Sequence, residues 1–330
     1  MPKNYDIIAL GESLIDFVAA RSTDGDKVNM EGTAGGATLN VMVAAARLGR
    51  RTAYITKIGS DLNGKFLREQ IEKNGVEFRG RIAKTELTTL AIVSLDETGD
   101  REFAFYDKGT SMSTLSTGDI DFDFLQEGRI FHFGSVSMTN DITFEANIKA
   151  AQRAKLDGVK VSFDPNYRAH LWASENDALT AMDAGFQIAD YIKVGEEEAR
   201  IAAGASNPNE AAQILMEKYH PEFLAVTLGA HGAIAFSSLG QAQRPACDVT
   251  TVDTTAAGDA FMGAALHKLL EYEDRGVKLD DAALGDLLVY ANASGSRSTT
   301  IKGAIPSLPS EADIIRLIFS TPSPALRLLV

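Results

Sequence analysis

The chain has 330 residues, of which 45% are hydrophobic and 23% charged, a balance typical of a globular protein with a buried core. A formal net charge of −13 excludes the basic surface that nucleic acid or an anionic membrane requires, so we expect small-molecule partners. The single cysteine, Cys247, excludes an intrachain disulfide and a CxxC site, and a reducing, cytoplasmic location is expected.

Short apolar runs alternate with helical segments along the chain. The predicted strands occupy residues 6–11, 129–134, 159–164, 191–194 and 223–229. Segments with helical periodicity occupy residues 143–156, 196–203, 210–219, 257–270 and 280–298. This alternation predicts an α/β fold, in which a mostly parallel, doubly wound sheet carries helices on both faces.

Two stretches interrupt this alternation. Residues 13–33 and 87–110 contain β-branched and aromatic residues, with a turn predicted at 97–100. They predict a small antiparallel sheet that grows out of the main fold as a lid. No linker, internal repeat or low-complexity tract divides the chain, so residues 1–330 are predicted to form one domain with this inserted lid.

The segment VDTTAAGDAFMG at residues 252–263 carries the clearest chemical signal. Three small residues precede Asp259 at a predicted helix start: Ala256, Ala257 and Gly258. Free N–H groups and the positive end of the helix dipole bind an anion there, so an aspartate at this point is unusual unless its charge is used. The alternative is that Asp259 is an ordinary first-turn acid and that Thr254 or Thr255 caps the helix.

This segment resembles the second motif of the ribokinase-like (PfkB) carbohydrate kinases, DTTGAGDAF or DTxAAGDxF. The run AGGATLN at residues 34–40 resembles the first motif of that family, although a pair of glycines is also expected of a flexible entry to a helix. The resemblance extends from GESLIDF at 11–17 to the loop at 303–309. It implies a ribokinase-like three-layer α/β/α fold and an ATP-dependent sugar kinase with Asp259 as the base.

The resemblance also implies which residues contact the sugar. They are Asp16, Gly35, Gly36, Asn40, Tyr106, Arg168 and Asp259. Four segments resemble fructokinases within the family: GESLIDF, GDREFAFY, IFHFGSVSM and DPNYRAHLW. The implied reaction is phosphorylation of D-fructose to fructose 6-phosphate. From the residues alone, Asp16 is equally expected as a solvated residue of a strand, and Arg168 as the partner of a nearby acid.

Three other functions stay open. Related 2-keto-3-deoxygluconate kinases place an arginine at Arg168 and another just after the residue that matches Tyr106, where this chain has Asp107 followed by Lys108. A carboxylate there repels an acidic sugar, which favours a neutral ketose. A nucleoside kinase of the same fold and a silent sugar-binding regulator are the remaining alternatives.

The family resemblance further implies a nucleotide site and two metal sites. The nucleotide residues are Thr227, Gly229, Gly232, Gly258 and Asn292, although the glycines at 229 and 232 are equally expected in a hairpin. Glu198 matches the family's NxxE motif, which holds a magnesium-bound water, but Gly195 replaces the asparagine. The potassium site would comprise Asp253, Thr255, Ser298, Ile301, Gly303 and Ser307. ATP, Mg²⁺ and K⁺ are the expected cofactors, and a homodimer through the lid is the expected assembly.

Overall fold

A computed structural model describes residues 3–21, 28–95 and 101–320 of the chain. The strands within these residues are β1 (Tyr5–Leu10), β2 (Leu14–Arg21), β3 (Val28–Gly35), β4 (Thr52–Ile55), β5 (Lys57–Gly59), β6 (Val76–Phe78), β7 (Arg81–Ala83), β8 (Thr89–Leu95), β9 (Arg101–Tyr106), β10 (Gly128–Gly134), β11 (Lys160–Asp164), β12 (Tyr191–Gly195), β13 (Phe223–Thr227), β14 (Ala233–Phe236) and β15 (Gln241–Arg244). The α-helices are α1 (Ala37–Arg47), α2 (Leu62–Lys73), α3 (Asp141–Leu156), α4 (Glu175–Ile188), α5 (Glu196–Ala203), α6 (Pro208–Tyr219), α7 (Ala257–Arg275), α8 (Asp281–Ser298) and α9 (Glu311–Ser320).

The main sheet is parallel except at one edge. Its strand order is β15-β14-β13-β12-β11-β10-β1-β4-β6, and β14 pairs antiparallel with both of its neighbours, β13 and β15. The predicted α/β fold with a mostly parallel, doubly wound sheet is therefore confirmed. Strands β5 and β7 form a separate parallel pair that the sequence analysis did not predict.

Both faces of the sheet are buried, which explains why its strands are apolar throughout. Successive residues of β1 point to opposite faces, so Ile7 packs in one core cluster and Ile8 in the other. One cluster contains buried residues of α1, α2, α7, α8 and α9, and the other contains residues of α3, α4, α5 and α6. The result is a three-layer arrangement in which the sheet is the middle layer.

The small sheet has the order β3-β2-β8-β9. The prediction that it is antiparallel is wrong at its centre, because β2 and β8 pair in parallel. The β2–β3 and β8–β9 pairs are antiparallel, as predicted. Two hairpins join through their first strands, which run in the same direction, and this gives the mixed sheet. The turn predicted at 97–100 lies outside the described residues.

Two element ends differ from their predicted positions because of glycines with positive φ. Strand β13 ends at Thr227 instead of residue 229, since Gly229 (φ 56°) begins a short 3₁₀ turn. Helix α7 continues past residue 270 to Arg275, where Gly276 (φ 64°) ends it in the left-handed conformation. Among the described residues, no helix combines the length and the low charge that a membrane span requires.

Candidate active site

Buried charged side chains collect at the carboxyl ends of the parallel strands. Glu12 follows β1, Asp164 ends β11, and Lys193 lies near the end of the neighbouring β12. Lys193 Nζ is 3.0 Å from Asp164 Oδ2, and both side chains are almost completely buried. Doubly wound sheets bind their ligands at this edge, so these charges mark the candidate active site.

Asp259 lies directly above this edge, in the first turn of α7, and is 6% exposed. The amide nitrogen of Asn40, on α1, donates a hydrogen bond to Asp259 Oδ2 at 2.9 Å. Burial raises the pKa of the Asp259 carboxyl, although the Asn40 hydrogen bond and the charges of Lys193 and Arg168 oppose this effect. The structure thus presents an oriented, buried carboxylate at the positive end of a helix.

The helix start before Asp259 has no side-chain cap. The N-cap residue is Ala256, in the left-handed conformation (φ 61°, ψ 11°), so the alternative expectation of a Thr254 or Thr255 cap is wrong. Thr255 instead donates from its N–H and hydroxyl to Asp253 Oδ1, at 3.0 and 2.6 Å. Ala257 N–H donates to Thr254 O at 3.3 Å, whereas the N–H groups of Gly258 and Asp259 have no acceptor among the described residues. Free N–H groups at a helix start are suited to an anion, and the anion site at residues 256–258 stays a prediction.

The two glycines before α1 are required by close packing. A Cβ atom at Gly35 would collide with Asp16 Oδ2, and one at Gly36 would collide with the carbonyl oxygen of Glu12. Gly36 also has a φ of 130°, which only glycine adopts readily. Strand β3 therefore passes against Asp16 of β2 and turns directly into the helix that carries Asn40.

Asp16 and Arg168 lie close enough to Asp259 to interact with it electrostatically. Burial raises the pKa of the Asp16 carboxyl to about 6, Arg168 opposes this effect, and the charge of Asp259 adds to it. The Arg168 guanidinium is exposed and donates to the carbonyl of Tyr167 at 3.0 Å. Tyr106, another predicted sugar residue, lies on the edge strand β9 and is 58% exposed. The structure brings Asp16, Asn40, Arg168 and Asp259 together and leaves Tyr106 at the periphery.

The predicted nucleotide residues surround the turn between β13 and β14. Thr227 ends β13, and Gly229 and Gly232 both have positive φ in the turn, as a hairpin also requires. A Cβ atom at Gly232 would collide with the carbonyl of Arg244. The amide nitrogen of Asn292 donates to the carbonyls of Arg244 and Pro245, at 2.9 and 3.1 Å. Asn292 thus holds the loop next to this turn, and its contact with adenine stays a prediction.

Glu198 is fixed at the start of α5 by two backbone N–H groups. Tyr167 N–H donates to its Oε1 at 2.7 Å, and Gly195 N–H donates to its Oε2 at 2.5 Å. The carboxylate thus reaches the Asp164–Lys193 pair, whose pKa values it influences. The described residues contain no group of three or more His, Cys, Asp or Glu placed to hold a metal ion. Glu198 is therefore a single anchored carboxylate with lone pairs left for a metal-bound water.

The residues of the predicted potassium site lie on two loops that Asp253 joins. Asp253 Oδ2 accepts a hydrogen bond from Gly303 N–H at 2.9 Å, and Val252 and Asp253 N–H donate to Thr299 O at 2.8 and 3.1 Å. Ser298 and Ser307 are buried, whereas Ile301 is 38% exposed. The oxygen atoms of Asp253 and the carbonyl of Thr299 hold the two loops together by hydrogen bonds, and the potassium site stays a prediction.

The sequence analysis missed Glu12 and Lys193 as site residues. Glu12 is 1% exposed and Lys193 is 4% exposed, yet neither stands in a glycine-rich motif. The signal for Lys193 was present, because it is the one charged residue in the apolar run of residues 191–194. A lysine inside a buried strand is costly unless it is paired, so it is a marker for a site.

A doubly wound sheet, an uncapped helix start and an oriented carboxylate beside it define a group-transfer enzyme that handles an anion. The chain belongs to the pfkB family of carbohydrate kinases, which matches residues 4–311.

Individual relatives narrow this class. The chain is 35% identical over 317 residues to fructokinase-2 of Solanum habrochaites, covering 94% of this chain and 95% of the relative. It is 30% identical to the fructokinase of Xylella fastidiosa in its crystal structure with bound ATP, with a TM-score of 0.87 and coverage of 95% and 98%. A fructokinase double mutant from Vibrio cholerae O395, bound to fructose, ADP and a potassium ion, is 28% identical, with a TM-score of 0.82 and coverage of 96% and 99%. The chain is therefore a sugar kinase that resembles fructokinases.

Proposed function

We propose that the protein transfers the γ-phosphate of ATP to the 6-hydroxyl of D-fructose, with Asp259 as the base. The observation that carries this proposal is the Asn40–Asp259 pair at the start of α7. Asn40 Nδ2 orients the carboxylate, while Asn40 Oδ1 is buried and accepts no hydrogen bond within the described residues. A sugar hydroxyl supplies the missing donor and stands next to the base.

The sugar site of this proposal is formed between the lid and the main sheet. Asp16 on β2 accepts hydrogen bonds from two neighbouring hydroxyls, a role that suits a carboxylate. Gly35 lets β3 approach Asp16 closely, and Gly36 gives the turn into α1. Tyr106 contacts the sugar only when β9 moves inward, and we propose that the small sheet closes as a lid over one continuous domain. Such closure excludes water and suppresses ATP hydrolysis.

In the proposed reaction the sugar hydroxyl oxygen attacks the γ-phosphorus, and the bond from that phosphorus to the β,γ-bridging oxygen breaks. ADP leaves, and the hydroxyl proton passes to Asp259. An ordinary carboxylate is too weak a base to ionise an alcohol in advance, so Asp259 orients the hydroxyl and accepts the proton late. N–H groups of residues 256–258 hold the phosphoryl oxygens, which is the main task in this chemistry. Thr227, Gly229, Gly232 and Asn292 would border the adenosine.

Two cations belong to the proposal. Mg²⁺ neutralises charge on the ATP phosphates, and the anchored Glu198 carboxylate would hold one of its water ligands. The hydrogen bond from Gly195 N–H to Glu198 supports this role, because the backbone alone orients the glutamate where glycine replaces the asparagine. K⁺ would bind the loops at residues 253–255 and 298–307, which Asp253 joins by hydrogen bonds. The ion would fix the conformation of the backbone at the anion site.

A second candidate substrate is an acidic sugar such as 2-keto-3-deoxygluconate. Arg168 favours it, because its guanidinium acts electrostatically on Asp16 and Asp259 and so lies near the sugar. Asp107 opposes it, since this half-buried residue follows Tyr106 where a second cation would be useful. We also propose that the protein is cytoplasmic and forms a homodimer through the lid.

The test is ADP release from Mg²⁺-ATP with fructose, 2-keto-3-deoxygluconate, ribose and adenosine as acceptors. We expect fructose-dependent turnover, and we expect Asp259→Asn to lower kcat on the order of 10²- to 10⁴-fold. If only another acceptor supports turnover, that acceptor and not fructose is the substrate. Binding of ATP and sugar with no turnover would identify a silent sugar-binding regulator instead.

A further inference from the structure

Lys193 is a buried residue of the candidate active site that has no role in the proposed reaction so far. Its side chain is 5% exposed and lies on β12, below the start of α7. A Cβ atom added at Gly258 would lie 2.9 Å from Lys193 Nζ, and no other side chain contacts that position. The ammonium group therefore stands against the backbone that forms the anion site.

Part of the hydrogen-bonding capacity of this ammonium group is unused. Lysine has three N–H donors, and within the described residues Lys193 Nζ contacts only the Asp164 carboxylate, at 3.0 and 3.3 Å. Burial lowers the pKa of Lys193, but the charges of Asp164, Glu198 and Asp259 outweigh this effect and keep the pKa above its ordinary value. A protonated lysine with donors to spare at an anion site is suited to a phosphate.

The charges nearby explain why a cation is needed at this point. Asp164, Glu198 and Asp259 all lie within electrostatic reach of Lys193, and the exposed Arg168 acts on Asp259 from the sugar side. A polyphosphate that entered beside three carboxylates would be repelled. Backbone N–H groups supply only partial charges, whereas Lys193 supplies a full positive charge in a buried, low-dielectric place.

We propose that Lys193 donates hydrogen bonds to the γ-phosphoryl group of ATP from the sheet side of the anion site, and that Asp164 positions its ammonium group for this contact. This inference rests on the proposed function, because it assumes that residues 256–258 receive the transferred phosphoryl group. The charge on the equatorial phosphoryl oxygens is met from one side by the N–H groups of α7 and from the other by Lys193.

The rival explanation is that Lys193 only neutralises the buried Asp164. Two variants separate these roles: Lys193→Met alone, and Lys193→Met combined with Asp164→Asn, which removes both charges and keeps similar shapes. We expect both variants to lose on the order of 10²-fold in kcat, with the sugar KM changed less than about threefold. Thermal unfolding should show that the double variant is closer to the wild-type stability than the single variant.

Lys268→Met is the matched control. Lys268 is another poorly exposed lysine, and it pairs with Glu271 and Asp286 on the half of α7 distant from Gly258 and on α8. Its replacement should leave kcat unchanged. A double variant Lys193→Met/Asp164→Asn with a kcat within about threefold of wild type would overturn the proposal, since neutralisation of Asp164 would then be the whole role of Lys193.

A binding experiment tests Lys193 without any turnover. Calorimetric titration with a non-hydrolysable ATP analogue and with ADP compares ligands with and without the γ-phosphate. We expect Lys193→Met to weaken the ATP analogue at least about tenfold more than ADP, and equal weakening of both would contradict the contact. If the wild type phosphorylates none of the sugars, the proposed substrate fails, while this titration still decides whether Lys193 binds the γ-phosphate.

Discussion

Glu12 is the buried carboxyl group at the junction between the main sheet and the lid, because it lies between β1 and β2. Thr38 donates hydrogen bonds to the Glu12 carboxyl group from its N–H and its hydroxyl, at 3.3 and 3.4 Å. Glu12 thus accepts a hydrogen bond from the first turn of α1, whose N-cap residue Gly36 has no side chain to do so. The Tyr54 hydroxyl donates to the Glu12 carbonyl at 2.5 Å. Burial raises the pKa of Glu12 to about 7, although neighbouring backbone N–H groups oppose this effect.

This pKa predicts how stability depends on pH. Because the pKa of Glu12 rises from 4.5 to about 7 on folding, the folded state holds its proton across that interval while the unfolded state releases it. The resulting stabilisation is complete below pH 4.5 and is lost as the pH rises through 7. Between pH 5 and 8, wild type should therefore lose about 3 kcal/mol relative to Glu12→Gln, as measured by denaturant unfolding.

The exposed residue Glu145, in an i,i+4 pair with Lys149, provides the control for this measurement. Glu145→Gln should keep the wild-type dependence on pH. If Glu12→Gln and wild type change in parallel from pH 5 to 8, then Glu12 does not hold a proton in the folded state.

The start of α7 shows how one element can carry backbone strain. Ala256 has a φ of 61°, a conformation that costs an L-residue about 1–2 kcal/mol relative to glycine. Glycine at this position removes the strain from the folded state. Part of the resulting stabilisation is lost, because glycine also gives the unfolded chain more conformational freedom. We expect Ala256→Gly to stabilise the protein by about 0.5–1 kcal/mol in denaturant unfolding.

The next residue of the same helix is the matched control. Ala257 is the first residue of α7, where glycine is less unfavourable than in the middle of a helix, so Ala257→Gly should destabilise the protein by up to about 0.5 kcal/mol. Opposite signs for the two substitutions would show that strain is localised at residue 256. Destabilisation by both would mean that Ala256 is not strained in solution.

The sequence predicted elements well where one physical signal dominates. Apolar runs such as residues 223–227 identified the parallel strands, and the small residues before Asp259 identified the start of α7. The parallel pairing of β2 with β8 was not predictable, because it depends on how two distant hairpins meet. Lys193 did leave a signal, as the one charged residue of an apolar run, but its partner Asp164 lies on a different strand and could not be predicted.

At the scale of the whole molecule, the small sheet ends in two edge strands, β3 and β9, each of which pairs with another strand on one side only among the described residues. On strand β3, Val28 and Met30 are 63% and 50% exposed. An edge strand with exposed apolar side chains tends to pair with another chain. We therefore expect a homodimer in sedimentation velocity experiments, and Met30→Lys should weaken it about 10- to 100-fold by placing a charge in the interface.

Leu156→Lys is the control for this prediction, because Leu156 is an apolar residue with 84% exposure at the end of α3, far along the chain from the lid strands. It should leave the dimer intact. A monomeric wild type at micromolar concentration, or dissociation by both variants, would remove the lid from the dimer interface.

The connection between β3 and α1 has a consequence for the affinities of the two substrates. Only Gly36 separates the last residue of this lid strand from the helix whose Asn40 holds Asp259. If a sugar draws the lid inward as proposed, it would also act on the carboxylate of Asp259, and the binding of sugar and ATP would share one free energy of coupling. Thermodynamic reciprocity requires each substrate to change the affinity of the other by the same factor. The enzyme would then sense a missing sugar as weaker ATP binding, which spares ATP without any separate regulatory site.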